Sequence, residues 1–160
     1  MEPYENLKNA GLTLPPPSGD SDTITMAKRF GESLLYVSGM GPVRNGRQLF
    51  AGTVPGTVSM SDAAAAAEQC ALNILSSVEK TAGSLERVKG VVKLLVYVAS
   101  DQGFTQQHIV ANGASNVFLA AFGEEIGKAA RSAIGVARLP LDFPVEVEAL
   151  IELTEDLVKN

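Results

Sequence analysis

The sequence predicts an α+β fold, a mixed β-sheet with two helices laid on one face. Three stretches carry that expectation. Residues 61–83 place apolar side chains at helical spacing, "VVKLLVYVAS" at 91–100 is a nearly unbroken β-branched run, and "VEVEALIEL" at 145–153 alternates apolar with mainly acidic residues. They read as a helix with one buried stripe, a central strand covered on both faces, and a strand with one dry and one polar face.

In chain order, "YENLKNAG" (4–11) is a short helix closed by Gly11, and "LPPPSGDSD" (14–22) is a stiff, then flexible connector. This front end reads as an appendage. "SLLYVSG" is a strand, and Asn45-Gly46 inside "VRNGRQLFAG" is the turn of a tight antiparallel hairpin. The first long helix starts at a capping serine, Ser61, buries Ala67, Ala71, Ile74, Leu75, Val78 and Ala82, and stops at Gly83. After the central strand, "FTQQHIVANGASNVFLAAFG" predicts a second helix, weakened by Gly113 and ended by Gly123. "RSAIGVARLP" and "VEVEALIEL" are two strands joined through "LPLDFP" (139–144), before an acidic tail. The chain thus divides into an extension over 1–22, a domain over 23–153 and a tail over 154–160. With both helices on one face, the economical cover for the other is a further copy of the chain.

The 160-residue length is that of one domain, and 46% hydrophobic with 19% charged residues fits a compact globular chain. A formal net charge of −5 opposes the attraction that phosphate backbones require, which excludes nucleic acid as the expected partner. No apolar run approaches the roughly 20 residues of a membrane span. The start, "MEPYENLKNAG", lacks a basic segment followed by an apolar one, so a cytoplasmic protein without membrane attachment is expected. One cysteine, Cys70, and one histidine, His108, leave neither a disulfide framework nor a structural zinc site, and no metal or cofactor is expected. Cys70 on an apolar helix stripe reads as a buried, inert thiol, and His108 as a surface or capping residue.

The last two strands hold the charged residues of interest. If they form a hairpin centred near Asp142, Arg138 falls opposite Glu146 and Arg131 opposite residues around Leu153. That register keeps Arg131 and Glu146 about seven residues, on the order of 20 Å, apart within one chain. Arg131 presents a planar fork that suits a carboxylate, either a local acid such as Glu124 or Glu125 or that of a small ligand, unless it simply faces solvent.

"LLYVSGMGPVRNG", "ERVKGVVKLLVYVAS", "ARSAIGVARLP" and "PVEVEALIEL", in this order over about residues 30–153, resemble the RidA/YjgF family, also called endoribonuclease L-PSP. "GLTLPPP" and "NGAS" resemble a longer, less characterised branch of it. The resemblance implies a chorismate-mutase-like fold, a homotrimer with ligand clefts between subunits, and hydrolysis of 2-aminoacrylate-type enamines or imines to a keto acid and ammonia. It places the substrate carboxylate on Arg131 and the water-activating carboxylate on Glu146. It also suggests that Ser38, Gly39 and Tyr97 line the cleft, although Tyr97 on a central strand is equally a core residue. Asn112, Ser115 and Asn116 compete for the family's helix asparagine. Ile24 stands where the family's deaminases carry a tyrosine, which points to a different substrate or to a protein that binds without turnover.

Overall fold

The computed structural model describes residues 2–154. A five-stranded sheet carries the fold: β1 (Ala27–Phe30), β2 (Leu34–Met40), β5 (Val88–Ala99), β6 (Ala130–Val136) and β7 (Val145–Leu153), in the order β1-β2-β7-β5-β6. All pairings are antiparallel except β5 with β6, so the sheet is mixed, as the sequence predicts. A separate two-stranded ribbon, β3 (Val43–Arg44) with β4 (Arg47–Gln48), turns on Asn45 and Gly46. Both have positive φ, 51° and 73°, as the expected tight turn requires.

Helix α2 (Met60–Ala82) lies on β7 and β2 and buries all six stripe residues named above. Its cap is Ser59 rather than Ser61: the Ser59 hydroxyl accepts the Asp62 amide at 3.1 Å, and Gly83 ends the helix at φ 86°. The second predicted helix is two, α3 (Gln107–Val110) and α4 (Asn112–Gly127). Gly123 kinks α4 instead of ending it, with φ 72°. Gly113 is a packing residue, because an added Cβ would overlap the Ala64 carbonyl oxygen of α2. Only glycine lets the two helices approach so closely.

Three expectations are corrected. The final strands are not a hairpin: β5 lies between them, β6 runs parallel to it, and the 139–144 connection crosses the end of β5. Arg138 therefore pairs with Asp142 at 3.2 Å, not with Glu146. Strand β1 was not anticipated, since "AKRF" is short and polar and gains its place by pairing with β2. Finally, the expected amino-terminal helix, α1 (Pro3–Asn9), is no loose appendage: Leu7 is 2% exposed and Asn6 Nδ2 donates to the Ala121 carbonyl at 3.0 Å. Burying a leucine of this kind contributes roughly 1.5–3 kcal/mol. The rest of the predicted tail, 155–160, lies outside the described residues.

Helices cover one face of the sheet. Val145, Val147, Ala149, Ile151 and Leu153 of β7 point into that core, with Leu94, Val96 and Val98 of β5. The opposite face, predicted to be covered on β5, is bare in the single chain and carries Tyr36, Leu95, Tyr97, Ile134 and Leu150 beside Glu146 and Glu148. Tyr36 is 44% and Ile134 45% exposed. Among the described residues, no helix is long and apolar enough to cross a membrane and no cluster of His, Cys, Asp or Glu is arranged to hold a metal ion.

Candidate functional site

Arg131 sits on the sheet's last strand, in register with the buried Leu94, so its side chain leaves on the helix side. There Nη1 donates to Asn112 Oδ1 at 3.0 Å and Ser115 Oγ at 2.9 Å, and Nη2 donates to the His108 carbonyl at 3.0 Å. A guanidinium has five N–H donors, so these three bonds hold it rigidly and leave two for a ligand. Partial burial pushes the Arg131 pKa down, yet a guanidinium stays charged. No acid pairs with it among the described residues, and Glu124 instead faces Lys128 at 3.8 Å. Asn112 and Ser115 thus hold the arginine. Asn116 is exposed, and His108 contributes its backbone rather than its ring.

Glu146 projects from β7 onto the bare face, in register with Tyr97 of β5. It is half-buried, and its carboxylate lies against the backbone of Gly39, where a Cβ would overlap Oε1. Burial, and secondarily the charge of Glu148, push its pKa above the ordinary carboxylate value. Among the described residues it has no hydrogen-bond donor. Glu148, by contrast, accepts the Tyr36 hydroxyl at 2.9 Å and the Tyr97 hydroxyl at 3.4 Å. The Tyr36 pKa is raised chiefly by that bond and the Tyr97 pKa chiefly by burial. Tyr97 is among the residues the sequence singled out, whereas Tyr36 and Glu148 are not; the period-two spacing of β2, β5 and β7 is the signal that places all three on one face.

Ser38 and Gly39 lie where the β2–β7 register slips between Val37 and Met40. The Ser38 hydroxyl donates to the Thr25 carbonyl at 2.7 Å, so it pins the segment before β1. Ile24 in that segment is 57% exposed. Cys70 is fully buried, with Sγ 3.6 Å from the Val145 carbonyl, and burial pushes its thiol pKa well up, as expected of an inert thiol.

Arg131 aligns with Leu94 and through it with Ala149, whereas Glu146 aligns with Tyr97. The offset is three residues, about 10 Å along the strands at ~3.3 Å each, and two strand spacings of ~4.8 Å across. An odd offset also puts the two side chains on opposite faces of the sheet. Within one chain they form two half-sites: a donor fork and a buried carboxylate.

The endoribonuclease L-PSP family profile matches residues 27–153. Protein TCP17 of Trypanosoma cruzi is 41% identical over 148 residues, covering 92% of each chain. Atu1372 of Agrobacterium tumefaciens, a crystal structure of unknown function, superposes with a TM-score of 0.85 at 39% identity, covering 94% of this chain and 91% of its own. The YjgF gene product of E. coli superposes at 0.59 with 25% identity, over 86% and 92%. The chain belongs to the RidA/YjgF, or endoribonuclease L-PSP, family.

Proposed function

We propose that the protein hydrolyses small carboxylate-bearing enamines or imines of the 2-aminoacrylate type to a 2-keto acid and ammonia, in clefts between the subunits of a homotrimer. The observation that carries this reading is Arg131, pinned by Asn112, Ser115 and the His108 carbonyl, with two N–H donors left over for a planar anion. Glu146, drawn from a neighbouring subunit, supplies the second half-site. Its raised pKa suits proton exchange. The carboxylate takes a proton from water as the oxygen adds to the imine carbon and returns it to nitrogen, giving a carbinolamine whose hydroxyl proton it then passes to the same nitrogen. The C–N bond breaks, ammonia leaves and the keto acid remains. No cofactor is required by this chemistry, and the proposal places it in the cytoplasm. The family's ribonuclease label is disfavoured here by the net charge of −5.

The test is release of ammonia and keto acid from freshly generated 2-iminopropionate, with Arg131→Ala compared at matched concentration and fold checked by circular dichroism. Acceleration that depends on Arg131 supports the proposal, and equal rates overturn it. A second reading, binding of a small carboxylate without turnover, is favoured by the exposed Ile24 in place of the family's tyrosine. It predicts saturable binding with no product.

A further inference from the structure

Away from the residues just described, a cavity of about 270 Å³ opens between residues 11–16, the β3–β4 turn and one side of α2. It shares no residue with Arg131, Glu146 or their partners. Its size lies below the roughly 300–1,000 Å³ usual for drug-sized ligands, so its occupant is small.

Arg44 and Glu68 both line this cavity. Among the described residues no ion pair within 4.0 Å joins them, so two opposite charges flank one space without neutralising each other. Arg44 is nevertheless held: its Nε donates to Gln69 Oε1 at 2.7 Å. Gln69 is 1% exposed and donates to Asn73 Oδ1 at 3.0 Å, and Asn73 in turn donates to the Gly41 and Val43 carbonyls, each at 2.9 Å. A buried amide relay tied to backbone carries no role in the proposed chemistry, and it fixes one guanidinium edge while both terminal nitrogens stay without a protein partner among the described residues. The opposite wall is fixed as well. The Ser76 hydroxyl, 1% exposed, donates to the Pro15 carbonyl at 2.7 Å, and the Leu12 amide donates to the Leu7 carbonyl at 2.9 Å. That wall comes from residues 11–16, outside the family-matched span of 27–153, so one side of the cavity is supplied by a part of this chain that the family profile does not contain.

We infer that this cavity is a second ligand site, for a small zwitterion of the α-amino-acid type, whose carboxylate meets Arg44 and whose ammonium meets Glu68. A plain carboxylate satisfies one charge and leaves Glu68 opposed to it; a plain amine does the converse. Selectivity for the zwitterion over either half is therefore the signature.

The test titrates isotope-labelled full-length protein with L-alanine, propionate and ethylamine, following amide chemical shifts. L-alanine is expected to shift Thr13, Leu14, Arg44 and Asn45 saturably and to bind about tenfold tighter than either half-ligand. Arg44→Met is expected to abolish saturation, and Glu68→Gln to bring L-alanine and propionate to similar affinity. Arg131→Ala is expected to leave these shifts unchanged, which keeps this site's outcome separate from that of the proposed hydrolysis. Arg44 is exposed at the surface end of the relay and Glu68, outside the relay, is half-buried beside the cavity, so their variants retain the fold. Absence of saturable shifts, equal affinity for the three probes, or loss of the shifts in Arg131→Ala overturns the inference.

Discussion

Gly39 and Glu146 are in direct contact across the β2–β7 irregularity: the carboxylate occupies the place that a side chain at 39 would need. Gly39→Ala therefore displaces the end of a flexible side chain rather than the backbone, and its cost falls on geometry before stability. Moving a catalytic group by about 1 Å can cost about 10²-fold in rate. The expected result is a fall in kcat of that order with an unfolding midpoint close to wild type.

Arg131 depends on its helix partners for aim. Asn112→Ala removes one of the two acceptors on Nη1 and leaves the charge in place, so KM for an imino acid should rise several-fold with kcat little changed. Arg131→Lys keeps the charge but loses the fork and all three anchoring bonds in their present geometry. It should approach Arg131→Ala, a loss of about 2 kcal/mol or more in kcat/KM. Steady-state kinetics on folded variants checks both. A lysine variant near wild type would sink the bidentate reading.

The alternation in "VEVEALIEL" was enough to place Glu146 and Glu148 on one face, and the helical spacing of 67–82 was enough to identify the α2 stripe. The hairpin reading failed because a six-residue connection looks local, whereas insertion of β5 between β6 and β7 is a long-range pairing that sequence periodicity does not encode. β1 was missed for a related reason: "AKRF" has little strand character and is fixed by its partner β2. The anchoring of Arg131 by Asn112 and Ser115 required knowing that α3 lies on β6 and that the start of α4 comes within hydrogen-bond reach of the Arg131 side chain. Spacing alone showed three candidate polar residues and no means of choosing among them.

The pH dependence follows from the direction of the Glu146 shift. Its folded-state pKa is raised, by burial first and by Glu148 second. The ionised form is thus the costly one: stability is lost as pH rises from the ordinary glutamate value, about 4.3, through the raised folded value, and it stays lost above. Glu146→Gln should unfold at a higher temperature than wild type at about pH 8 and show no such advantage at about pH 4. In the proposed hydrolysis Glu146 acts as the base in its ionised form, so the acid limb of kcat/KM should lie above the ordinary carboxylate value. Glu148→Gln removes the secondary cause and moves that limb to lower pH without restoring it fully, because burial remains. An unmoved limb would assign it to another group.

Close packing of α4 on α2 makes Gly113 a stability position. A methyl group there meets the Ala64 carbonyl, which belongs to helix backbone and cannot rotate away. Overpacking of this kind typically costs about 1–3 kcal/mol, against which the better helix propensity of alanine returns about 1 kcal/mol. Gly113→Ala should lower the unfolding midpoint by a few degrees, on the scale of about 2–4 °C per kcal/mol for a chain of this size. A midpoint at or above wild type would mean that the helices part freely.

The bare sheet face sets the last expectation. Tyr36 and Ile134 expose 44% and 45% of their surface on a face that also carries Leu95, Leu150 and the glutamates Glu146, Glu148 and Glu152. Those glutamates argue against a dry, featureless interface: Glu148 is already satisfied by two tyrosine hydroxyls, while Glu146 still lacks a donor. A subunit arrangement that brings the Arg131 side of one chain near the Glu146 side of the next covers the apolar residues and completes the site together. Ile134→Asp adds a charge to that face without touching the helix-side core, so, if the proposed trimer forms through that face, it should leave the single chain folded while lowering the mass seen in sedimentation from three chains to one. Imine hydrolysis should disappear with it, because neither half-site contains both groups. Full activity in a monomeric Ile134→Asp protein would overturn the shared cleft and require each chain to work alone.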